Sequence, residues 1–351
     1  MVSTQQIVIA LDCMGGDKAP QIVIEGADII ASKDPNINFL FFGDAKKVLP
    51  IINHCRNLKS RFDFIDTPEF VPANEKPSIA LRKLTKSSMR LAIDAVKDQK
   101  ASAVVSAGNT GALMAIAKLV LRPLPAITRP AIVTSIPNKK NLATVFLDMG
   151  ANIDCDANFL FQFAVMGKAF ARYALNVNNP KIGVLNVGSE ELKGNDQVRE
   201  VFNMLKSSHM SSDFYGYVEG DDILKGTVDV VVTDGFTGNV ALKTIEGATK
   251  FISGVIKEGF TSSILAKIGY VLASQSLGSA IKKIDPRMHN GAMLIGLNGV
   301  AVKSHGSTDA IGFANAILVA SNLVRNKINE RIIEDINHNQ QFLLKSNLNG
   351  Q

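Results

Sequence analysis

Short apolar runs alternate with amphipathic segments along most of the chain. The apolar runs are rich in branched residues and end in polar or glycine-rich turns, which is typical of buried strands. They predict strands over residues 6–11, 38–42, 62–65, 101–105, 130–136, 143–147, 181–185, 215–218 and 228–233. Apolar positions at helical spacing predict helices over residues 22–31, 81–96, 113–121, 156–174 and 196–205. This alternation predicts an α/β fold, a three-layer αβα (Rossmann-like) arrangement around a largely parallel sheet.

A protruding amphipathic helical hairpin is predicted over residues 240–285. Its apolar residues share one helical face on either side of a break at 261–263, and lysines occupy the opposite face. The apolar face comprises Ile245, Ala248, Phe251, Ile252, Val255, Ile256 and Phe260 before the break, and Ile264, Leu265, Ile268, Val271 and Leu272 after it. Core or dimer packing is one interpretation. Contact with a membrane surface is the other, because apolar residues at the tip of a helix pair with nearby lysines suit a lipid interface.

The rest of the chain completes one continuous domain. A strand-like run with glycines covers residues 291–303, a long helix is predicted over 308–336, and the polar residues 337–351 are expected to fray. No linker or low-complexity segment divides the sequence. We therefore expect a single α/β domain over residues 1–336, with the helical lobe 240–285 inserted in it.

Composition narrows the possible functions. Of the 351 residues, 46% are apolar and 20% charged, and the net charge of +6 suits anionic small molecules, an acidic protein partner or an anionic lipid surface. Nucleic acid is not expected as a partner, because no basic block stands beside aromatic residues and tryptophan is absent. The cysteines and histidines are scattered without metal-binding spacing, which fits a reducing cytosol and indicates no metal site. No signal sequence or membrane-spanning apolar run is recognised.

Polar turns of small residues follow several predicted strands, and they are the candidate ligand site. The turn 186–195 carries Gly188, Gly194, two carboxylates and Lys193 between a strand and a helix. Ligands of open α/β sheets bind at such strand ends, where glycines allow close approach and helix N-termini offer N–H groups to anions. Turns of similar character occupy residues 12–20, 106–112, 148–152 and 233–239. The first of these lacks the G-x-G-x-x-G pattern, so dinucleotide binding is poorly supported.

Each of these features also has a structural interpretation. The turn 186–195 is compatible with an ordinary polar loop. The turn 106–112 is either a backbone nest for an anion or a tight turn in which Asn109 or Thr110 caps the next helix. Cys13 is better explained as a small buried thiol than as a nucleophile. His305, beside Lys303, either polarises a substrate or is structural.

Six motifs together resemble those of the bacterial phosphate acyltransferases of phospholipid synthesis. They are D-x-M-G-G-D-x-A-P at 12–20, S-A-G-N-T-G-A at 106–112, D-x-G-A-N at 148–152, E-E-x-K-G at 190–194, T-D-G-F-T-G-N at 233–239 and L-x-G-L-N-G-x-x-x-K-S-H-G at 294–306. All six stand in the order of that family. The sequence departs from the pattern at Cys13, where alanine is frequent, and at Lys18, where histidine is frequent. Neither departure changes the interpretation.

The resemblance implies reversible transfer of a fatty acyl group from acyl carrier protein to inorganic phosphate. The acyl phosphate is then used by a membrane glycerol-3-phosphate acyltransferase. The resemblance also implies a fold similar to those of phosphotransacetylases and of isocitrate and isopropylmalate dehydrogenases. It further implies a homodimer with the active site near the subunit boundary. The expected location is the cytoplasm, with peripheral attachment to the inner face of the cytoplasmic membrane.

This chemistry needs groups that hold two anions, the phosphate and the tetrahedral oxyanion. No strong base is required, because phosphate has a second pKa of about 7, near that of other phosphate groups in proteins, and much of it is already dianionic. A leaving thiol with a pKa of about 8.5 departs as thiolate with modest help. The reaction therefore needs neither a cofactor nor a metal.

Roles can be assigned to the turn residues on this basis. Lys193 and the turn 108–110 are expected to hold phosphate, and Asn239 with the N–H groups after Gly235 to hold the oxyanion or phosphate. Asp234 or His305 orients or protonates reacting groups. The other predicted binding residues are Gly15, Gly16, Asp17, Ser106, Gly108, Asn109, Thr110, Gly111, Asn186, Gly188, Glu190, Gly238 and Lys303.

Other functions stay open at this point. A short-chain phosphotransacylase that uses coenzyme A would need similar turns, and the thioester carrier distinguishes it. A decarboxylating dehydrogenase is less well supported, since its metal-binding aspartates and nucleotide site are not recognisable. A non-catalytic membrane-associated scaffold would have no use for several anion-binding turns at strand ends.

Overall fold

The computed structural model describes residues 6–348, with the backbone alone at 275–284, 286 and 340–348. Within this range one sheet contains eleven strands. They are β1 (Ile7–Asp12), β2 (Ile37–Gly43), β3 (Phe62–Asp66), β4 (Ala103–Ser106), β5 (Ala131–Pro137), β6 (Ala143–Leu147), β7 (Ile182–Leu185), β8 (Phe214–Val218), β9 (Val230–Val232), β10 (Ala292–Ile295) and β11 (Val300–Lys303). Each strand predicted from an apolar run is present, with ends that differ by a few residues. The run 291–303 is two strands, β10 and β11, which pair antiparallel.

Twelve α-helices accompany the strands in the described range. They are α1 (Gln21–Lys33), α2 (Ala45–Ile52), α3 (Pro77–Lys83), α4 (Ser88–Lys97), α5 (Thr110–Leu121), α6 (Ala157–Ala174), α7 (Asp196–Lys206), α8 (Asp222–Lys225), α9 (Gly235–Thr261), α10 (Ile264–Ile284), α11 (Ala310–Arg325) and α12 (Ile328–Leu348). The helix predicted over 81–96 is divided into α3 and α4, because Ser87 leaves the helix and its side chain caps α4. The helix predicted over 308–336 is divided into α11 and α12 at Lys327, whose φ is +51°.

Two further predictions concern helix ends. The predicted break at 261–263 is confirmed, since α9 ends at Thr261 and α10 begins at Ile264. α12 continues to Leu348, so the segment predicted to be a frayed polar tail is helical over its described part. Residues 349–351 lie outside the described residues.

The sheet has two parallel halves that run in opposite directions. Its strand order is β3-β2-β1-β4-β11-β10-β5-β6-β9-β7-β8. The first five strands are parallel to one another, and so are the last four. Between the halves, β10 is antiparallel to both β11 and β5, and β5 is antiparallel to β6. The predicted largely parallel sheet is confirmed, but the carboxyl ends of the two halves point toward opposite edges.

Helices cover both faces of the sheet, as a three-layer fold requires. One face buries Phe161 of α6 and Phe313 of α11 against strand residues such as Phe41. The other face buries Met89 of α4 and Ile116 of α5. Burying one such side chain contributes about 1.5–3 kcal/mol. The sheet is therefore held firmly between its helix layers, and the turns at its edges have fixed positions.

α9 and α10 form a hairpin whose apolar side chains are mostly uncovered. The base of α9 packs Ala241, Leu242 and Ile245 against the core, and the rings of Phe260 and Tyr270 lie 5.3 Å apart. The exposed apolar residues include Phe251, Ile252, Val255, Ile256, Ile264, Leu265, Ile268, Val271 and Leu272. Core packing is therefore the wrong interpretation of this face, and a second copy or a lipid surface remains. Among the described helices, none combines the length and apolar character needed to cross a bilayer.

Candidate active site

The first group of predicted turns lies at the carboxyl ends of β1, β4 and β11, which are neighbouring parallel strands. Leu11 pairs with Val105, and Lys303 pairs with Ser106. The turns that follow these strands therefore meet at one edge of the sheet. We call them the glycine-turn cluster, which covers residues 12–20, 106–112 and 303–306.

The buried carboxylate of Asp12 holds the glycine-turn cluster together. Its Oδ1 accepts hydrogen bonds from Ser88 Oγ (2.6 Å) and Met14 N (3.2 Å), and its Oδ2 accepts one from Ser106 Oγ (2.6 Å). Ser106 Oγ in turn accepts from Gly108 N at 3.0 Å. Burial raises the pKa of Asp12, and the hydrogen bonds oppose the rise. This role was not predicted from the sequence; the available signal was an acidic residue at the end of a buried strand, which needs donors around it.

Gly15 and Gly16 bring the first two turns into backbone contact. A Cβ on Gly15 would lie 2.7 Å from Gly108 N, so a larger residue does not fit. Gly16 adopts a φ of +110°, which favours glycine. Asp17 N donates to the carbonyl oxygen of Gly306 at 2.9 Å. These three predicted binding residues therefore make contacts within the cluster, and the Asp17 side chain alone is exposed.

Both polar atoms of the Asn109 side chain form hydrogen bonds within the protein. Its Oδ1 accepts from Ala112 N at 2.9 Å and caps α5. Its Nδ2 donates to the carbonyl oxygens of Ala73 and Glu75, both at 2.9 Å. The capping interpretation of Asn109 is confirmed, and its amide fastens the loop before α3 onto the cluster.

The backbone of the next two residues is free to bind an anion. The N–H groups of Thr110 and Gly111 open α5 and have no partner in the part of the chain that the structure describes. A Cβ on Gly111 would lie 2.8 Å from Pro77 Cγ, so glycine is needed there for close packing. A helix N-terminus with free N–H groups attracts negative charge. This turn therefore has the free N–H groups that the predicted anion nest requires, and anion binding there stays a prediction.

Lys303 adds a positive charge beside the nest. Its Nζ donates to the carbonyl oxygen of Ala107 at 3.3 Å and to that of the following serine. Burial lowers the pKa of Lys303 to about 8, Asp12 and Asp17 oppose the shift, and Lys243 adds to it. Its charge is therefore present near neutral pH and is lost as the pH rises through about 8.

His305 directs its second ring nitrogen away from its own turn. Its Nδ1 accepts from Ser307 N (3.3 Å) and contacts Ser307 Oγ (3.0 Å), which leaves Nε2 to carry the proton. Burial lowers the pKa of His305, while Glu246 opposes the shift and Lys243 adds to it. The ring is therefore a neutral donor through Nε2 at pH 7 rather than an acid.

Asn290 positions the turn that carries His305, a role that was not predicted from the sequence. Its Oδ1 accepts from His305 N at 2.9 Å. Its Nδ2 donates to Ser304 Oγ (2.8 Å) and to the carbonyl oxygen of Gly312 (2.7 Å). Because Asn290 comes just before β10, no motif near His305 pointed to it.

The second group of turns lies at the carboxyl ends of β6, β9 and β7. Leu147 of β6 and Val184 of β7 both pair with Val232 of β9. The turns after these strands are therefore neighbours, at the edge opposite the glycine-turn cluster. We call them the α9-base cluster, which covers residues 148–152, 186–195 and 233–239.

Asp148 organises the α9-base cluster. Its Oδ1 accepts from Ile132 N (3.0 Å), Gly150 N (3.2 Å) and Ala151 N (3.0 Å). Its Oδ2 accepts from the backbone N and Nδ2 of Asn152, at 2.7 and 2.9 Å. Burial raises the pKa of Asp148, and these hydrogen bonds oppose the rise. With five donors on a fully buried carboxylate, Asp148 fixes the turn and is not accessible to substrate.

Gly235 and Gly238 allow the first turn of α9 to pack against the turn 148–152. Gly235 N donates to the carbonyl oxygen of Asn152 at 2.7 Å. A Cβ on Gly238 would lie only 1.9 Å from the carbonyl oxygen of Asp148. The predicted binding residues Gly235 and Gly238 therefore provide close helix-to-turn packing.

Near the start of α9, Asn239 has a polar side chain that is free to contact a ligand. The carboxylate of Asp234 caps α9, because its oxygens accept from Thr237 N (2.8 Å) and Thr237 Oγ1 (2.7 Å). Of the first four N–H groups of α9, three are bonded, so the predicted anion site after Gly235 is largely occupied by protein contacts. Asn239 is exposed and lies over Gly150, where an added Cβ would be 3.5 Å from Asn239 Cβ.

The turn 186–195 presents Lys193 to solvent. Its Nζ lies 3.9 Å from Glu190 Oε1, and both side chains are more than half exposed. A Cβ on Gly188 would lie 3.3 Å from Lys193 Cγ, so the lysine stem rests on the glycine. Asn186 Nδ2 is buried and has no hydrogen-bond partner among the described residues. An unsatisfied buried donor costs about 1–3 kcal/mol, which a ligand or water atom would recover.

α9 connects the two clusters. It begins at Gly235 in the α9-base cluster, and its Glu246, Lys243 and Lys250 are among the charges that shift the pKa of His305. Lys243 also acts on Lys303, and at 1.5 Å per residue it is about 6 Å from Asn239 along the helix axis. The structure therefore brings the predicted residues together as two groups joined by one helix, not as a single group at one edge.

Comparisons with known proteins agree with the sequence motifs. A family model described as "Fatty acid synthesis protein" matches residues 7–331. A phosphate acyltransferase of Paramagnetospirillum magneticum is 52% identical over 326 residues, which cover 93% of each chain. One of Rhodospirillum centenum is 51% identical over 333 residues, which cover 95% of this chain and 94% of the relative. The fold is similar to that of a phosphotransacetylase from Streptococcus pyogenes, with a TM-score of 0.63 and 17% identity over 91% of this chain and 94% of that one.

Proposed function

The chain belongs to the phosphate acyltransferases of the fatty acid synthesis protein family, and we propose that its acyl donor is a fatty acyl carrier protein and that its acyl phosphate serves phospholipid synthesis. The observation that carries this proposal is the path of α9. One end of the helix carries Asn239 in the α9-base cluster, and charges farther along it, those of Lys243, Glu246 and Lys250, act on His305 of the glycine-turn cluster. The phosphate and the oxyanion are bonded to the same carbon in the tetrahedral intermediate, so the proposal requires both groups to face one reaction centre. The segment of α9 from Asn239 to Lys243 supports this, because the charge of Lys243 acts on both Lys303 and His305.

The reaction joins a phosphate oxygen to the thioester carbonyl carbon. The C–O bond forms, the carbonyl oxygen becomes a tetrahedral oxyanion, and the C–S bond then breaks. The thiolate leaves with the bonding electron pair and takes a proton from solvent. Holding both reactants in attacking geometry alone removes several kcal/mol, up to about 7–11 kcal/mol, from the barrier.

Phosphate is proposed to bind at the nest that opens α5. The free N–H groups of Thr110 and Gly111 would donate hydrogen bonds to its oxygens, with Lys303 neutralising part of its charge. His305 would donate through Nε2 to a phosphate or carbonyl oxygen. Because phosphate is already an anion, no residue needs to remove a proton from it.

The oxyanion is proposed to be stabilised from the α9-base cluster. Lys193 supplies a mobile positive charge and Asn239 an amide donor, and their turns follow the neighbouring strands β7 and β9. Asp234 is proposed to act by capping α9 and so placing Asn239, because both of its oxygens are already bonded. Glu190 is proposed to hold Lys193 near its working position until substrate binds.

Thiol release tests the proposed function directly. Phosphate-dependent release of free thiol would be measured with long-chain acyl carrier protein and, in parallel, with acyl-coenzyme A. Release from the carrier substrate, with acyl phosphate formed, is the expected result. Release from acyl-coenzyme A alone would identify a short-chain phosphotransacylase instead. No release from either substrate would reject the proposal and leave a non-catalytic scaffold.

The KM for phosphate is expected to rise on the order of tenfold between about pH 7.5 and 9.5. The pKa of Lys303 is lowered to about 8, so its charged fraction falls through this window, whereas phosphate stays dianionic. In Lys303→Arg the charge persists, because arginine stays protonated. Its KM should therefore stay nearly constant. Steady-state kinetics over this range make the measurement.

An uncharged variant completes the comparison for Lys303. Lys303→Met keeps most of the side-chain length and should show the high KM at every pH. An equal rise of KM in the wild type and in Lys303→Arg would show that another group titrates, and would remove Lys303 from the phosphate site.

The α9–α10 hairpin is proposed to serve both a second copy of the chain and a membrane surface. The exposed apolar side chains are spread along two helices of 27 and 21 residues. The hairpin is therefore long enough for two separate contacts, one along α9 and one at the tip. We propose that a homodimer covers the face of α9 that includes Phe251 and Val255, and that Ile264 and Leu265 at the tip contact lipid. Attachment there would release acyl phosphate beside the membrane acyltransferase that consumes it.

The variant Ile264→Glu/Leu265→Glu is expected to lose liposome binding by about 10²-fold or more, because each buried leucine-sized side chain contributes about 1.5–3 kcal/mol. Both side chains are more than three-quarters exposed, so the fold should tolerate the change. Co-sedimentation with anionic vesicles and light scattering make the measurement. Turnover in solution and dimer mass should stay as in the wild type.

Leu119→Glu/Leu142→Glu is the matched control for the tip variant. These residues are also exposed and apolar but lie outside the hairpin. The control should bind vesicles normally. If the tip variant became monomeric, the tip would be a subunit interface and not a lipid contact.

A further inference from the structure

Three exposed cations stand within five residues at the end of α3. Arg82 and Lys83 lie in its last turn, and Lys86 follows in the connection to α4. None of the three forms an ion pair with a residue that the structure describes. Many exposed lysines elsewhere do so, for example Lys206 with Glu191 at 3.2 Å. A concentration of unpaired positive charge on a fixed surface attracts an acidic partner.

The segment that carries these charges is fastened to the glycine-turn cluster. Ser88, two residues after Lys86, donates through Oγ to Asp12 Oδ1 at 2.6 Å. Asn109 donates to Ala73 and Glu75 just before α3, both at 2.9 Å. The surface therefore borders the anion nest and holds a fixed position relative to it.

An exposed aromatic residue lies beside the charges. Phe70 is 41% exposed. Its neighbour Glu69 accepts Lys86 N through Oε1 at 2.9 Å, and the carbonyl oxygen of Glu69 accepts Ser88 N at 2.9 Å. The Glu69 carboxylate therefore accepts a backbone hydrogen bond and forms no ion pair with the side chain of Arg82, Lys83 or Lys86. An aromatic anchor inside a charged rim is a common composition of a protein-binding surface.

We propose that Phe70, Arg82, Lys83 and Lys86, which we call the cationic face, dock the acidic carrier protein that delivers the acyl thioester. This inference rests on the proposed function, which requires a protein-bound thioester donor. The carrier's prosthetic arm must enter the site while its body stays outside. A surface beside the nest, complementary to an acidic protein, meets that requirement. A lipid surface fits less well, because the cationic face carries one exposed aromatic residue whereas the hairpin carries most of the uncovered apolar area.

Charge reversal of the cationic face tests the proposal. The variant Arg82→Glu/Lys83→Glu/Lys86→Glu is compared with Lys33→Glu/Arg56→Glu/Lys59→Glu, which changes the net charge equally. The control residues are exposed and lie near the amino ends of β2 and β3, at the other edge of the sheet. Lys33 also occupies the last turn of a helix, so the control includes one of the two charge reversals that the face variant makes at a helix C-terminus.

Two substrates separate docking from chemistry. With acyl carrier protein, kcat/KM of the face variant should fall by about tenfold or more at low ionic strength, and the loss should shrink with added salt. With acyl-pantetheine, which has neither protein nor phosphate, its kcat/KM should match the wild type. The control should match the wild type with both substrates. Titration of labelled carrier protein should show the same loss of affinity, independently of turnover.

Other outcomes would overturn the docking proposal. Unchanged kcat/KM with the carrier protein, or an equal loss with acyl-pantetheine, would show that the cationic face does not dock the carrier. Loss of binding to anionic vesicles with normal carrier titration would assign the face to lipid. If the wild type itself failed to use acyl carrier protein, the proposed function would fail before this test was reached.

Discussion

Replacing Lys193 by alanine is expected to lower kcat/KM by about 10²- to 10³-fold, the usual cost of removing one donor from a transition-state site. The free energy of unfolding should change by less than about 0.5 kcal/mol. The reason is that the side chain is more than half exposed and its ion pair with Glu190 is long, at 3.9 Å. Initial rates and thermal unfolding of the same preparation provide both numbers.

Lys206→Ala is the matched control for Lys193→Ala. Lys206 ends the next helix, α7, is similarly exposed, and pairs with Glu191 at 3.2 Å. Lys206 contacts the turn 186–195 only through the exposed Glu191, so Lys206→Ala should keep the wild-type kcat/KM and show the effect of losing one surface ion pair of that turn. A Lys193→Ala enzyme with near wild-type rates would remove Lys193 from the mechanism. Loss of rate together with a clear drop in melting temperature would assign Lys193 a structural role instead.

The secondary structure was largely predictable because strands and helices leave different apolar periods in the sequence. The two divided helices show where this signal ends. Residues 81–96 keep an apolar face through the break at Ser87, so the pattern alone joins α3 to α4. At Lys327 a residue with no special preference for a positive φ is held in that conformation by the helices that meet there. Tertiary packing therefore decides the break at Lys327, whereas the break at Ser87 follows a local capping signal that the apolar pattern hides.

The direction of the strands explains why one site was expected and two groups of turns were found. The run 291–303 reads as a single strand, but it folds into the β10–β11 hairpin. From β11 to β6 the sheet then has three antiparallel steps, and an odd number reverses the direction. Strand ends that a uniformly parallel sheet would place together therefore lie at opposite edges. The path of α9, which joins them again, follows from packing that no short motif encodes.

The roles of individual polar side chains were the least predictable part of the site. Asn109 and Asp234 stand in motifs and resemble ligands, yet hydrogen bonds within the protein use Asn109's amide and both oxygens of Asp234. Asp12 and Asp148 stand in the same motifs and act as buried hubs. The sequence lists donors and acceptors but does not tell which of them the fold satisfies. Lys193 and Asn239 differ in being exposed, and Lys303 keeps a charged group whose Nζ donates to two carbonyl oxygens.

Replacing Gly238 by alanine is expected to destabilise the protein by about 3 kcal/mol or more, which is the upper range for forcing extra volume into a packed site. The added Cβ would lie 1.9 Å from the carbonyl oxygen of Asp148. That oxygen belongs to a turn held by five hydrogen bonds, so it cannot move away cheaply. The first turn of α9 must shift instead, and Asn239 shifts with it. The melting temperature should fall by about 4 °C, and kcat/KM should fall even well below the transition.

Gly247→Ala on the same helix separates this contact from the general effect of alanine in a helix. Gly247 has nothing within 4 Å of an added Cβ, so the change should stabilise α9 by up to about 1 kcal/mol and leave kcat/KM unchanged. The two variants make the same chemical change nine residues apart and should have opposite signs. If Gly238→Ala were as stable and active as Gly247→Ala, the first turn of α9 would not be packed on the Asp148 turn in solution. The proposed position of Asn239 over Gly150, and with it the oxyanion role of that amide, would then be wrong.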